Sequence, residues 1–336
     1  AGDDGIARIW ETDIIDQTHI FEHSAPALSA CWHPDGTRMV SAAGWAAHIW
    51  DAQRGVEINE IGGHGLITSV TWSSQGDRIL TSDYNGTAII WDADSGKELL
   101  KLHGHTSRVN SVSWNSDDSR LVTAGQDNTA RIWDSVSGEE ILVLLGHEKA
   151  INSVAWSSIS NLIITTSADQ TARIWDAETG VELYQLLGHT DSVNAADWSP
   201  DGTQIATVGN DRTVRIWDAI TGEELVQIRG HGGPIHSVHW RPTGHQVITG
   251  SDDNTVRIWD ALTGEQMSLI EGHTGAIWSA RWSPDGTQIL TASGDKTARI
   301  WPVSIEGLLK QAEGLILRDP PEFTTEERCV YLHECG

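Results

Sequence analysis

The sequence predicts an all-β fold built from copies of one small sheet set around an axis. Three observations carry this. A block ending in "RIWD" or a close variant recurs, with its Trp at Trp10, Trp50, Trp91, Trp133, Trp175, Trp217, Trp259 and Trp301, so the spacing settles at 42 residues. Each period divides into four short β-branched segments separated by Gly or Asp-Gly turns, and no helical periodicity survives within it. A four-stranded sheet of this size cannot cover both of its faces alone, whereas copies stacked round an axis cover one another and leave only short edges.

The period that opens at Gly188-His189 shows the elements in order. Strand a is "SVNAADW" (192–198), followed by the turn "SPDG" (199–202) and strand b, "TQIATVG" (203–209). A loop at Asn210-Asp211 leads to strand c, "TVRIWD" (213–218). The turn "AITG" (219–222) then leads to strand d in "EELVQIRGH" (223–231). A second Trp series, Trp32, Trp72, Trp114, Trp156, Trp198, Trp240 and Trp282, closes strand a of each period. The two series take fifteen of the seventeen Trp and leave Trp45 and Trp278 outside the pattern.

A period near 42, four strands, a Gly-His start and a Trp-Asp end resemble the WD-repeat family of β-propellers, over residues 1 to about 302. The resemblance implies a seven-bladed propeller of four-stranded antiparallel blades. It also implies a buried hydrogen-bond network in each blade, made by the Gly-His histidine, a strand-b Ser or Thr, the b–c loop Asp and the strand-c Trp. The matching sets are His105, Thr123, Asp127 and Trp133; His147, Thr165, Asp169 and Trp175; His189, Thr207, Asp211 and Trp217; His231, Thr249, Asp253 and Trp259; and His273, Thr291, Asp295 and Trp301. The chemistry is compatible, because an imidazole can bridge a carboxylate and a hydroxyl while the indole N–H donates. The second repeat keeps His64, Thr81 and Trp91 but has Asn85 in place of the Asp. The first keeps His23, Ser41 and Trp50, and its shortened loop "AAGWAA" (42–47) has no Asp.

Residues 1–22 read as strands c and d of a partial repeat, 23–302 as seven repeats forming the propeller, and 303–336 as a mostly helical tail. The ring is expected to close by pairing Ile14–Phe21 beside strand c at Thr297–Trp301. The leading strand Ile6–Trp10 is then surplus, and an eight-fold ring using that half blade is the alternative. The chain opens on Ala in mid-pattern, as part of something longer would. In the tail, Leu308, Leu309, Ala312, Leu315 and Ile316 share one helical face, and Thr324 with Glu327 fits a capping box. The tail resembles the end pieces that follow propellers in large bacterial multidomain signalling proteins.

The formal net charge of −25 makes nucleic acid and anionic membrane poor partners. Cys31, Cys329 and Cys335 are too few for a disulfide framework. With no leader and no long apolar run, a cytoplasmic location is expected. The His/Thr/Asp sets recur in five copies, which suits scaffolding rather than one activated nucleophile. No "GxSxG" elbow and no phosphate loop occur. No catalytic residue, cofactor or metal is assigned, although Cys329, His333 and Cys335 offer a local zinc alternative. The strand-c arginines are expected to pair with neighbouring Asp.

Residues that vary while the frame repeats are the binding candidates. One set lies four before the strand-a Trp: Leu28, Thr68, Asn110, Asn152, Asn194, His236 and Trp278. A second precedes the b–c loop Asp or Asn and includes Tyr84, Gln126, Asn210 and Asp252. The expected function is a non-catalytic protein–protein interaction scaffold or sensor module, whose partner is a protein, a peptide or another domain of the same chain. Trp278, His236, Tyr84 and Trp45 would be its apolar anchors. Asn110, Asn152, Asn194 and Asp252 would be polar contacts, with Arg108 and Lys149 as rim charges. The alternative is a small-molecule-binding or enzymatic propeller using the central channel.

Overall fold

Alternating β-branched and small residues between tight turns give short antiparallel strands throughout the described residues. The computed structural model describes residues 19–62 and 65–303. The chain divides into two compact units, Ala1–Pro302 and Val303–Gly336, and nearly all of the second lies outside the described residues. The expected tail helices and the Cys329, His333 and Cys335 trio therefore lie outside them too.

The first unit holds seven four-stranded antiparallel sheets. Six of them follow chain order. In the third, Val109–Trp114, Arg120–Gly125, Ala130–Asp134 and Glu140–Leu144 pair successively as strands a to d. Strand a of each blade contacts strand a of its neighbours, which makes it the innermost strand. Strand d is the outermost, and its side chains are mostly exposed, as in Glu182–Leu187.

The seventh sheet closes the ring. His19–Glu22 pairs with Thr297–Pro302, in the register His19 to Ile300 and Phe21 to Ala298, and so acts as its strand d. This is the seven-bladed solution, and the eight-fold alternative is not adopted. Among the described residues this pairing runs over His19–Glu22; residues 14–18 and the surplus strand at 6–10 lie outside them. Phe21 is 1% exposed and sits edge-on to Trp50, with ring centroids 5.1 Å apart. It shares one buried cluster with Leu290 and Ile300 of the last blade and Ala27, Trp32 and Met39 of the first. Other buried clusters likewise straddle neighbouring blades: Ile49 with Ile67 and Val70, and Ile132 with Ile151 and Ile163. The core thus lies between sheets, and apolar burial there holds the ring together.

Two local devices shape the end that carries the b–c loops. The third residue of the b–c turn has positive φ: Gly86 (83°) in the second blade, then Asn128 (65°), Gln170 (75°), Arg212 (62°), Asn254 (66°) and Lys296 (69°). In the five non-Gly cases the preceding Asp accepts the backbone N–H two residues on, from Thr129, Thr171, Thr213, Thr255 or Thr297, which fixes the turn. In addition, every strand a carries a bulge at its second residue, as between Val109 and Ser111 or between Ile277 and Ser279. A bulge bends the strand and re-aims the extra side chain.

Candidate partner-binding face

The recurring polar sets are frame. In the five complete sets the histidine Nε2 lies 2.7–2.8 Å from the Thr Oγ1. Its Nδ1 lies 2.7–2.9 Å from an Asp oxygen. The Trp Nε1 donates to the same hydroxyl at 2.8–2.9 Å. A carboxylate can only accept, so Nδ1 carries the proton, and the Thr hydroxyl donates to Nε2. Thr123, Thr165, Thr207, Thr249 and Thr291 are 0% exposed, so none presents a nucleophile to a substrate.

Burial alone would raise the Asp169, Asp253 and Asp295 carboxyls, but bonds from Thr, His and backbone N–H outweigh it and hold each at about 2. Burial pulls His105, His147, His231 and His273 below the ordinary imidazole range, against the raising effect of their Asp partners.

The first two blades solve the missing Asp differently. In the first, the Trp50 Nε1 donates to Ser41 Oγ at 2.8 Å and His23 Nε2 sits 3.1 Å from that oxygen. His23 Nδ1 is buried with no hydrogen-bond partner, and burial, then the charge of His48, lowers this imidazole to about 4. In the second blade His64 lies outside the described residues, but a carboxylate is present. Asp83, 5% exposed, accepts the N–H groups of Asn85 at 2.8 Å and Thr87 at 3.0 Å. Asn85 is therefore not a bare loss of charge, because the acid has moved two residues upstream.

The strand-c arginines pair with the b–c loop Asp as expected in Arg173–Asp169 (3.8 Å), Arg257–Asp253 (3.9 Å) and Arg299–Asp295 (3.3 Å), and three of them reach Glu of strand d. Arg131 bonds Glu140 at 2.5 Å, Arg173 bonds Glu182 at 2.7 Å, and Arg215 bonds Glu224. His48 replaces the Arg in the first blade and reaches Glu57 at 2.8 Å. With Glu60 these form a trio whose ligating atoms lie within 4.8 Å of one another, on the partly exposed outer strands.

The seven bulge residues converge. Leu28, Thr68, Asn110, Asn152, Asn194, His236 and Trp278 all line one depression of about 440 Å³ where the innermost strands meet, joined by Tyr84, Arg108 and Gln126. Half of this mouth is committed to the frame. Thr68 donates to Val109 O at 2.5 Å, Asn110 to Ile151 O at 2.7 Å, Asn152 to Val193 O at 2.8 Å and Asn194 to Ile235 O at 2.9 Å. Each bond runs to the next blade. The asparagines are thus blade-to-blade ties that also line the mouth. Asn210 is absorbed in the same way, since its Oδ1 accepts from Asn194 at 2.8 Å.

The other half is aromatic. His236 and Trp278 stack with ring centroids 4.4 Å apart, and Asp252 Oδ1 lies 2.8 Å from His236 Nε2. Trp278 is 37% exposed, and its indole N–H makes no hydrogen bond among the described residues. Leu28 follows on the next blade, and then Tyr84, 46% exposed. Arg108 is not a free rim charge: it donates to the Tyr84 hydroxyl at 2.7 Å, and its guanidinium lies 4.1 Å from the centre of that ring. Trp45 is 65% exposed on a b–c loop but does not line the depression, and neither does Lys149.

A family model, "WD domain, G-beta repeat", matches residues 16–51, 55–92, 96–134, 138–176, 180–218, 222–260 and 264–302. The chain belongs to the WD40 family. Members of this family are typically non-catalytic scaffolds that bind protein partners. Similar proteins include meiotic fizzy-related protein 1 of Schizosaccharomyces pombe, 33% identical over 78 residues, which are 22% of this chain and 18% of that protein. Transducin beta-like protein 3 of Bos taurus is 30% identical over 99 residues, 28% of this chain and 12% of that protein. COMPASS component SWD3 of Saccharomyces cerevisiae is 26% identical over 96 residues, 28% of this chain and 30% of that protein. The matched stretches thus span less than a third of these relatives.

Against this WD40 frame, two features escape a reading by motif. Asp83 has no fixed spacing to betray it. The strand-a residue just before the Trp, represented by Asp197, His239 and Arg281, varies from blade to blade and has no partner nearby in sequence. The signal was available: three ionisable residues occupy that one position on three successive blades.

Proposed function

We propose that this WD40 propeller is a docking module that holds a protein or peptide partner at the b–c loop end. The arc of His236, Trp278, Leu28 and Tyr84 is the apolar anchor, and Trp45 extends it outward. One observation carries this reading. The same structural position is tied to the next blade at Thr68, Asn110, Asn152 and Asn194, yet at Trp278 it leaves an exposed indole with a free donor. An exposed aromatic with a polar tip on a rigid frame is a good hot spot, because it buries area at little entropic cost. The resemblance of the tail favours a place in the C-terminal part of a larger bacterial signalling protein.

Selection of a displayed peptide library on the propeller tests this. Trp278→Ala and Tyr84→Ala should each weaken the selected peptides at least about tenfold, with melting temperature unchanged. Affinities within about twofold of the parent for both variants would remove this face from the site.

A further inference from the structure

We propose that Arg281, on the innermost strand of the last blade, anchors a carboxylate-binding site. Arg281 lies on the innermost strand of the last blade, three residues beyond Trp278 and so roughly 10 Å further along the strand. Its counterparts on other blades make polar contacts with the next blade. Cys31 Sγ meets Thr71 Oγ1 at 3.9 Å, Ser113 Oγ accepts Trp156 N–H at 3.2 Å, and Asp197 accepts Trp240 N–H at 3.0 Å. His239, next to Arg281 in the ring, points the other way and bonds Asp197 at 3.2 Å. The one acid of this layer is thereby spent.

Arg281 has no such partner. Among the described residues it is the only partly buried arginine with neither a hydrogen bond nor an ion pair, and its Nε is buried without an acceptor. Elsewhere on the chain even half-buried arginines find a Glu, an Asp or a carbonyl, as Arg131, Arg120 and Arg78 do. The two terminal nitrogens of Arg281 are neither buried nor bonded among the described residues, so this half-buried side chain leaves them open to an incoming acceptor. The charge is close enough to His239 to help depress its imidazole, second only to burial.

The layer thus presents the Arg281 charge beside an imidazole that Asp197 engages from the other side. That matches a monoanion with a planar fork of acceptors, which is a carboxylate; the acidic field of the whole chain disfavours a polyanion. The carboxylate is either a free small acid or an Asp or Glu side chain that a partner inserts through the mouth.

Acetate titrated into the propeller alone, at ionic strength held constant with chloride, tests the site. The His239 ring resonances should shift saturably, and the melting temperature should rise by about 2–4 °C with the same apparent constant. Arg281→Gln should abolish both responses. If that variant folds poorly, Arg281→Lys should fold and bind several-fold more weakly. For the partner source, replacing each acid of a peptide bound at the mouth by its amide should weaken binding to the parent but not to Arg281→Gln. The proposal is overturned if acetate acts no differently from chloride and no peptide acid depends on Arg281. It is overturned equally if Arg281→Gln responds as the parent does. The acetate arm needs no peptide, so it stands or falls apart from the docking reading.

Discussion

At the scale of single residues, what matters is which polar groups are already spent. His189 holds Thr207 and Asp211 together, and Asp211 also accepts Thr190 N–H and Thr213. His189→Ala leaves Thr207 and Asp211 each one bond short in a buried site, at about 1–3 kcal/mol in total. His23→Ala leaves only Ser41 to re-pair, and Ser41 retains the Trp50 indole. Thermal unfolding of the two variants should show the larger fall for His189→Ala; equal falls would contradict the frame role.

The pH response follows from the same groups. His23 titrates at about 4 in the folded chain and near its ordinary value of about 6.5 when unfolded. Between those values the unfolded state binds more protons, so stability falls as pH drops through that window. His23→Gln should flatten part of that slope in melting temperature against pH, and an unchanged slope would contradict it. The Asp carboxyls at about 2 act lower: their contribution is complete above about pH 4 and is lost as pH falls toward 2. The five complete sets were legible through the family resemblance, because every partner sits at the offset the WD-repeat pattern implies. Asp83 was not, because a carboxylate that serves from a shifted position leaves no spacing to read.

At the scale of elements, turns and closure carry the testable strain. Gln170 sits at φ 75° where the second blade uses Gly86. A left-handed L-residue costs about 1–2 kcal/mol, partly offset by the entropy that Gly loses on folding. Gln170→Gly should therefore stabilise by about 0.5–1 kcal/mol, measured by urea midpoint. Ring closure depends on a strand of four residues whose buried anchor is Phe21. Phe21→Ala should cost about 3–5 kcal/mol in urea unfolding, whereas a cost under about 1 kcal/mol would mean that closure lies elsewhere. The strands and their order were legible from β-branched runs between Gly turns. The blade-to-blade bonds of Asn110, Asn152 and Asn194 were not, since each ends on a backbone carbonyl 41 residues away, and carbonyls have no sequence signature.

At the scale of the whole molecule, sevenfold repetition makes one end of the ring a place where any departure from the pattern is displayed beside the others. A core spread over blade interfaces makes the frame indifferent to the side chain carried at each bulge. The ring was legible because repetition multiplies a weak signal. The occupant of the mouth was not, because recognition uses the positions that do not repeat. The most direct test is hydrogen–deuterium exchange of the propeller with and without a peptide selected on it. Protection should concentrate in the b–c loops and strand-a bulges around Leu28, Tyr84, His236 and Trp278. Protection confined to the outer strands or to the opposite turns would contradict the division between repeating frame and variable face.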